Sequence, residues 1–195
     1  SNLARVIVEN MDGLGFTGNI YLVGNKTGNV SGRAVYSDLK DVPEVPDLAV
    51  FLVPAHRRVP SLKSCGEKGI RRCVIETGGF SEFGEERKGL ELEILNIADV
   101  YDMKIIGPNC VGIINLESGL ALPFYPLDRR EVKKGAVSVI SQSGGLIHDI
   151  MMMCCRENVG VSKCVSLGNK LMLNENDLLE YLISDAATEV IGLYL

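Results

Sequence analysis

The feature that most constrains this chain is a repeated alternation along its length. Short apolar runs, each cut off by Gly or Pro, are separated by stretches whose apolar residues recur at helical spacing. Leu3, Ile7, Met11 and Leu14 share one helical face, with Gly13 and Gly15 as stop signals. Ile20 to Val23 is apolar and β-rich and turns at Gly24-Asn25-Lys26; Leu48 to Val53 is a second such run, ended by Pro54. Residues 56–69 read as a helix, Arg72 to Glu76 as a strand entering Thr77-Gly78-Gly79, residues 82–101 as a helix, and Met103 to Ile106 as a strand stopped by Gly107-Pro108. Strands apolar on both faces, alternating with helices, predict a doubly wound α/β domain whose parallel sheet is covered on both sides.

Pro123, Pro126 and the charged steps through Lys134 read as a linker, after which the alternation restarts. Ala136 to Ile140 is a strand, Gly144 to Glu157 a helix, Val161 to Leu167 a strand, Asp177 to Leu182 a helix and Val190 to Leu195 a strand. Nucleotide-binding α/β domains normally open with a strand and a Gly-rich turn. This series opens with a helix, so a first strand is expected to be missing, and the final strand lacks a closing helix. Ser1-Asn2 reads either as a helix N-cap or as a leftover of other origin.

Composition excludes several functions. With 20 Lys+Arg against 25 Asp+Glu, the net charge is −5 without a basic cluster, which argues against a nucleic-acid groove or a polybasic membrane footprint. The apolar runs fall far short of the roughly 20 residues a bilayer span needs, and no signal peptide is visible. Six cysteines show no metal-ligand spacing and suit reduced thiols in a cytoplasm, so no metal site is expected.

Ligands of α/β folds bind at the carboxyl ends of strands. The loops there are Gly24-Asn25-Lys26, Val53-Pro54-Ala55, Thr77-Gly78-Gly79 and Gly107-Pro108-Asn109-Cys110. They carry few ionisable groups and suit a long flexible ligand held by backbone contacts, with Lys26 as a point charge for a phosphate; each alone is equally an ordinary tight turn. In Val139 to Leu146 a strand passes at once into a helix at Ser143-Gly144-Gly145. Free N–H groups and the helix dipole make that start a phosphate cradle, or Ser143 simply caps it. A nucleophile elbow at Ser143 fails: the first Gly of the motif is missing, and neither His56 nor His148 follows the order a hydrolase of that type requires.

Taken in order, these loops resemble the NDP-forming acyl-CoA synthetases, related to the succinyl-CoA synthetase α subunit. The resemblance rests on Gly18 to Val23, Asp47 to Val50, Val53-Pro54-Ala55, Gly79-Phe80-Ser81-Glu82, Gly107 to Asn115, Ile140 to Gly145, Ser166 to Lys170 and Asp177 to Leu182. It implies a Rossmann-like CoA-binding domain over 1–127 and a flavodoxin-like ligase domain, truncated, over 133–195. It implies reversible conversion of acyl-CoA, NDP and phosphate to carboxylic acid, CoA and NTP through an acyl phosphate and a phosphohistidine. By position, Lys26 would meet CoA phosphates. Val53, Pro54, Thr77, Gly78 and Asn109 would line the CoA cleft. Ser143, Gly144 and Gly145 would hold the transferred phosphoryl group, and His148 would touch the acyl group.

The resemblance also implies what lies elsewhere. The phosphorylated histidine is expected beyond Leu195, and a Gly-rich CoA loop before Ser1. ATP or ADP and Mg would enter only through an ATP-grasp domain or subunit. Gly24-Asn25 stands where relatives have Asn-Pro, and Met172 where they often have an acid; His56 reads as a surface or capping residue. Two other functions fit less of the sequence. One is an acyl-CoA-sensing domain pair of a protein acetyltransferase. The other is an NAD(P)-binding domain, which needs G-x-G-x-x-G and an acidic residue where Lys26 offers a cation.

Overall fold

The computed structural model describes residues 3–80, 84 and 88–195. The expectations placed on Ser1-Asn2, on Ser81, Glu82 and Phe83, and on the side chain of His56 lie outside the described residues. Helix α1 (Leu3–Leu14) buries Ile7, Val8, Asn10 and Met11, the face its apolar spacing selects. Beyond it, strands β1 (Leu22–Val23), β2 (Gly28–Val30) and β3 (Arg33–Tyr36) form a small sheet in the order β1-β3-β2. Strands β2 and β3 are an antiparallel hairpin turning at Ser31 (φ 48°) and Gly32 (φ 82°). Positive φ at both turn residues suits the right-handed twist of the flanking strands.

The second sheet holds β4 (Ala49–Phe51), β5 (Arg72–Ile75) and β6 (Lys104–Ile106), all parallel and in that order. Helices α2 (Ala55–Lys68) and α3 (Lys88–Val100) make the crossovers. Along β5 the side chains alternate. Cys73 and Ile75 join Leu62, Ile94 and Ala98 on one face, and Val74 joins Ile7, Met11 and Leu122 on the other. A strand buried on both faces is what the apolar run demanded. Helix α2 ends at Gly69, whose φ of 99° lets its N–H reach the carbonyls of Cys65 and Gly66.

The third sheet runs β11-β9-β10-β7-β8. Its members are β7 (Ile113–Asn115), β8 (Leu120–Ala121), β9 (Lys134–Ser141), β10 (Val161–Ser166) and β11 (Val190–Tyr194). Helix α4 (Gly144–Arg156) covers one face, where Val139, Ile147, Met151 and Cys164 pack together. On the other face Ile140, Leu167 and Leu182 pack with the inward side of α5 (Glu175–Ile183). Helix α5 starts with a capping box between Asn174 and Asp177. Among the described residues no helix is long and apolar enough to cross a membrane.

The parallel strands expected from the sequence are there, and antiparallel pairs add to them: β2 runs against β3, β7 against β10 and β8 against β7. The hairpin β7–β8 also precedes the division expected at 127/133, yet it hydrogen-bonds into the sheet of β9 and β10. Nor is the stretch after it slack. The buried Asn10 amide donates to the carbonyls of Pro123 and Tyr125, both at 2.8 Å, and accepts from the Leu127 N–H at 2.9 Å. Asn10→Ala would leave these backbone groups without their partner, which is expected to cost about 2–4 kcal/mol. The fall in the urea midpoint measures it, and a loss under about 0.5 kcal/mol would contradict a pinning role.

Candidate functional site

The carboxyl ends of the β4-β5-β6 sheet and of β9 and β10 meet. Past Phe51 and Ile75 the strand ends become loops 52–54 and 76–80, joined by Glu76 N–H to Phe51 O at 3.2 Å and by the Thr77 hydroxyl to Val53 O at 3.1 Å. The Asn109 N–H reaches Thr77 O at 3.4 Å, so the loops that carry Val53, Thr77, Gly78 and Asn109 are linked to one another at the strand ends. Pro54 stands at the N-cap of α2 and makes no side-chain cap there. Lys26 is exposed and makes no ion pair among the described residues; its neighbour Asn25 accepts a hydrogen bond from Arg57 in the first turn of α2.

The loops of the third sheet close on those of the second. Gly168 (φ 59°) lies so near the carbonyls of Pro108 and Asn109 that any Cβ would overlap them. From there Asn169 N–H donates to Pro108 O at 2.8 Å and Leu171 N–H to Gly107 O at 3.0 Å. The Asn109 amide reaches Asn169 Oδ1 at 3.2 Å. Gly168 in turn is tied to Gln142, the residue before Ser143, by two bonds of 3.2 Å. The loops after β5 and β6 and the residue before the start of α4 are therefore joined through Gly168.

At that start Ser143 is extended (φ −86°, ψ 124°), and its Oγ accepts from the Leu146 N–H at 3.4 Å, so the serine does cap the helix. The N–H groups of Gly144 and Gly145 have no intrahelical acceptor, and the helix dipole adds about half a positive charge there. The two glycines serve different ends. A Cβ on Gly144 would come within 2.7 Å of a Val111 methyl, whereas one on Gly145 would meet nothing within 4 Å. Gly144 is a packing requirement and Gly145 leaves open space.

His148 sits one turn further along α4. Its ring packs edge-on against Tyr125 with centroids 4.8 Å apart, and its Nδ1 lies 3.3 Å from Asp149. It lines a surface hollow of about 550 Å³ with Glu131, Asp149, Met152, Met153 and Arg156, along the outer side of α4 and apart from the cleft loops. Cys110, beside Asn109, is buried, which pushes its thiol up to about 12 and removes it as a nucleophile.

Two residues beside the cleft escaped the sequence reading. Glu76, the first residue after β5, is 4% exposed, and neither carboxylate oxygen has a hydrogen-bond partner among the described residues. Burial raises its carboxyl to about 8, so it is mainly neutral at pH 7. Arg58, in the first turn of α2, is buried between the two cleft loops. The available signals were an acid closing an otherwise apolar strand and an Arg57-Arg58 pair directly after Val53-Pro54-Ala55-His56.

Residues 1–115 match the family described as CoA binding domain, and residues 134–195 the family described as succinyl-CoA ligase like flavodoxin domain. Acetate–CoA ligase (ADP-forming) I of Archaeoglobus fulgidus is 39% identical over 180 residues, 92% of this chain and 26% of that protein. The alpha subunit of acetate–CoA ligase (ADP-forming) II of Pyrococcus furiosus is 42% identical over 178 residues, 91% of this chain and 38% of that subunit. A solved structure of dinucleotide forming acetyl-coenzyme A synthetase 1 from Ca. Korarchaeum cryptofilum, in complex with phosphate and ADP, superposes with a TM-score of 0.92 at 35% identity. The match covers 100% of this chain and 41% of that one. The chain thus spans between about a quarter and two fifths of the length of these relatives.

Between the ordinary glutamate range and about 8, the folded chain keeps a proton on Glu76 that the unfolded chain releases. Stability therefore falls as pH rises through that window, by about 1.4 kcal/mol per unit from this group. Glu76→Gln is expected to remove that slope, read from urea midpoints between about pH 5 and 8; an unchanged slope would exclude Glu76 as its source. The glycine pair separates just as cleanly. Gly144→Ala should cost about 1–3 kcal/mol by overpacking on Val111, and Gly145→Ala should be neutral or stabilise α4 by up to about 1 kcal/mol. Equal losses at both positions would refute the division of roles.

Proposed function

The chain belongs to the CoA-binding-domain family, continued by a succinyl-CoA-ligase-like flavodoxin fold, and from that premise we propose that it is the coenzyme A-holding portion of an ADP-forming acid–CoA ligase. The observation that carries the proposal is the contact of two loop systems. A nearly neutral, backbone-rich cleft ends beside a helix start that favours anions, and the Gly168 junction fixes the two together.

The residues fit the group that the family implies. Lys26 offers an exposed ammonium for a phosphate of coenzyme A, and Arg57 stands across Asn25 from it. Loops at Val53-Pro54, Thr77-Gly78 and Asn109 offer a mainly uncharged wall for the pantetheine arm. Bound there, coenzyme A supplies the thiol that takes up the acyl group. Ser143, Gly144 and Gly145 hold the phosphoryl oxygens through backbone N–H groups, a role for which the open space at Gly145 leaves room. His148, 39% exposed one turn into α4, keeps its assignment as the acyl contact only for an acyl group that lies over the outer side of that helix, away from the loops at Val53 and Thr77.

The reaction converts acyl-CoA, ADP and phosphate into a carboxylic acid, CoA and ATP. The phosphohistidine is assigned, on the family resemblance alone, to a segment outside residues 1–195. Nucleotide and Mg²⁺ are assigned to an ATP-grasp domain or subunit. A reducing cytoplasm suits the six free thiols.

Calorimetric titration of the full-length protein with coenzyme A and, separately, with NAD tests the assignment. Coenzyme A is expected to bind and NAD not to. Lys26→Ala is expected to weaken coenzyme A about tenfold, with a smaller salt dependence than the parent. Binding of NAD with silence toward coenzyme A would overturn the proposal.

A further inference from the structure

Arginine is almost never fully buried without dedicated partners. Arg58 is 3% exposed, and its partners lie on two different loops. Its Nε reaches the Thr77 hydroxyl at 3.1 Å and Val53 O at 3.4 Å, while Nη2 donates to Gly78 O. The guanidinium plane also rests on the Phe80 ring, 4.3 Å from its centroid. The ladder between β4 and β5 ends at the pair Phe51 and Ile75. One further backbone bond, from Glu76 N–H to Phe51 O, follows it. Beyond that point, among the described residues, the Thr77 hydroxyl and the Arg58 guanidinium tie the two loops together through side chains.

We propose that Arg58 is a positioning residue that sets the separation and tilt of loops 53–54 and 77–80, and through them the affinity for the pantetheine arm of coenzyme A. The proposal rests on the coenzyme A reading above and adds a residue to it. Its logic is preorganisation: a cleft that binds through backbone groups is only as selective as the distance between its walls, and two loops left free would lose entropy on binding. The planar fork matters as much as the charge. A lysine ammonium has a single nitrogen; it cannot hold Thr77 and Gly78 at once in one plane or lie flat on Phe80. Because the carbonyls of Val53 and Gly78 are turned toward the guanidinium, a ligand in the cleft meets the opposite side of those peptides.

The test uses the full-length protein with Arg58→Lys, Arg58→Met and Phe80→Leu. Three quantities are compared: calorimetric affinity for coenzyme A, the melting temperature, and amide hydrogen exchange in loops 53–54, 77–80 and 167–171. Both Arg58 variants are expected to lose about tenfold or more in coenzyme A affinity. Exchange should quicken at 53–54 and 77–80 but not at 167–171. Phe80→Leu leaves in place the groups of Val53, Thr77 and Gly78 that Arg58 bonds to and should lose about threefold, which preserves the test if Arg58→Met does not fold. Variants that bind coenzyme A within twofold of the parent, even with a lowered melting temperature, would reduce Arg58 to a structural role and overturn the inference alone. A parent that does not bind coenzyme A would instead remove the functional reading and this inference with it.

Discussion

The arrangement depends on one close approach, that of Gly168 to the carbonyl oxygens of Pro108 and Asn109. Two sheets can each present the carboxyl ends of their strands and still make no shared site unless those ends face each other at fixed distance. Here the peptide of Gly168 lies directly on the loop after β6, with φ of 59° and no room for a side chain. The flanking residues extend the contact as a run of backbone bonds: Asn169 to Pro108, Leu171 to Gly107 and Leu173 to Ile105. Backbone bonds of this kind contribute about 1 kcal/mol each at most, but a run of them anchored on one glycine fixes position and orientation together. The cleft on one sheet and the helix start on the other thereby become one surface.

Charge is distributed along that surface in a definite order. The exposed cations Lys26 and Arg57 stand at one rim, beside the first turn of α2. In the middle, Val53, Thr77, Gly78 and Asn109 are uncharged, and the guanidinium of the buried Arg58 stands against the first three. The far end is the start of α4, positive through its dipole rather than through any residue. Glu76 would spoil this order if it were ionised. Burial holds it mainly protonated at pH 7, so this carboxyl adds little negative field. The cost is a fold that weakens as pH rises toward 8, which a protein working near neutrality tolerates.

Much of this was legible in the sequence, for physical reasons that also explain the failures. Cys73, Val74 and Ile75 had to form a doubly covered strand because an apolar run of that length has no polar face to leave in water. Helices α2 and α4 announced themselves by period and by the Gly69 and Ser143 caps. The hairpin over 28–36 did not, since β2 is Gly28-Asn29-Val30 and shows no alternation; its only signal was Ser31-Gly32. The hairpin β7–β8 was hidden inside a motif read for its loop, and only long-range pairing reveals that it belongs with β10. Arg58 was invisible for a different reason. A second arginine in a helical first turn looks like a solvated charge, and its burial follows from where Phe80 and Gly78 come to lie.

Gly144, Gly145 and Gly168 show how one residue type answers three physical demands within a single site. Gly168 is there because its backbone is left-handed and pressed against two carbonyls, Gly144 because Val111 occupies the space a methyl would need, and Gly145 for neither reason. Within a helix interior glycine is disfavoured by about 1 kcal/mol relative to alanine, so an unconstrained glycine in the first turn is a small standing loss of stability. Such a loss has a physical rationale where a ligand must come close to backbone N–H groups, since even one methyl would hold an oxyanion away from them. Packing thus accounts for two of the three glycines. The third would be accounted for by the proposed approach of an oxyanion; at the corresponding position of α5 stands Asn176, behind an Asn174 cap that plays the part Ser143 plays in α4.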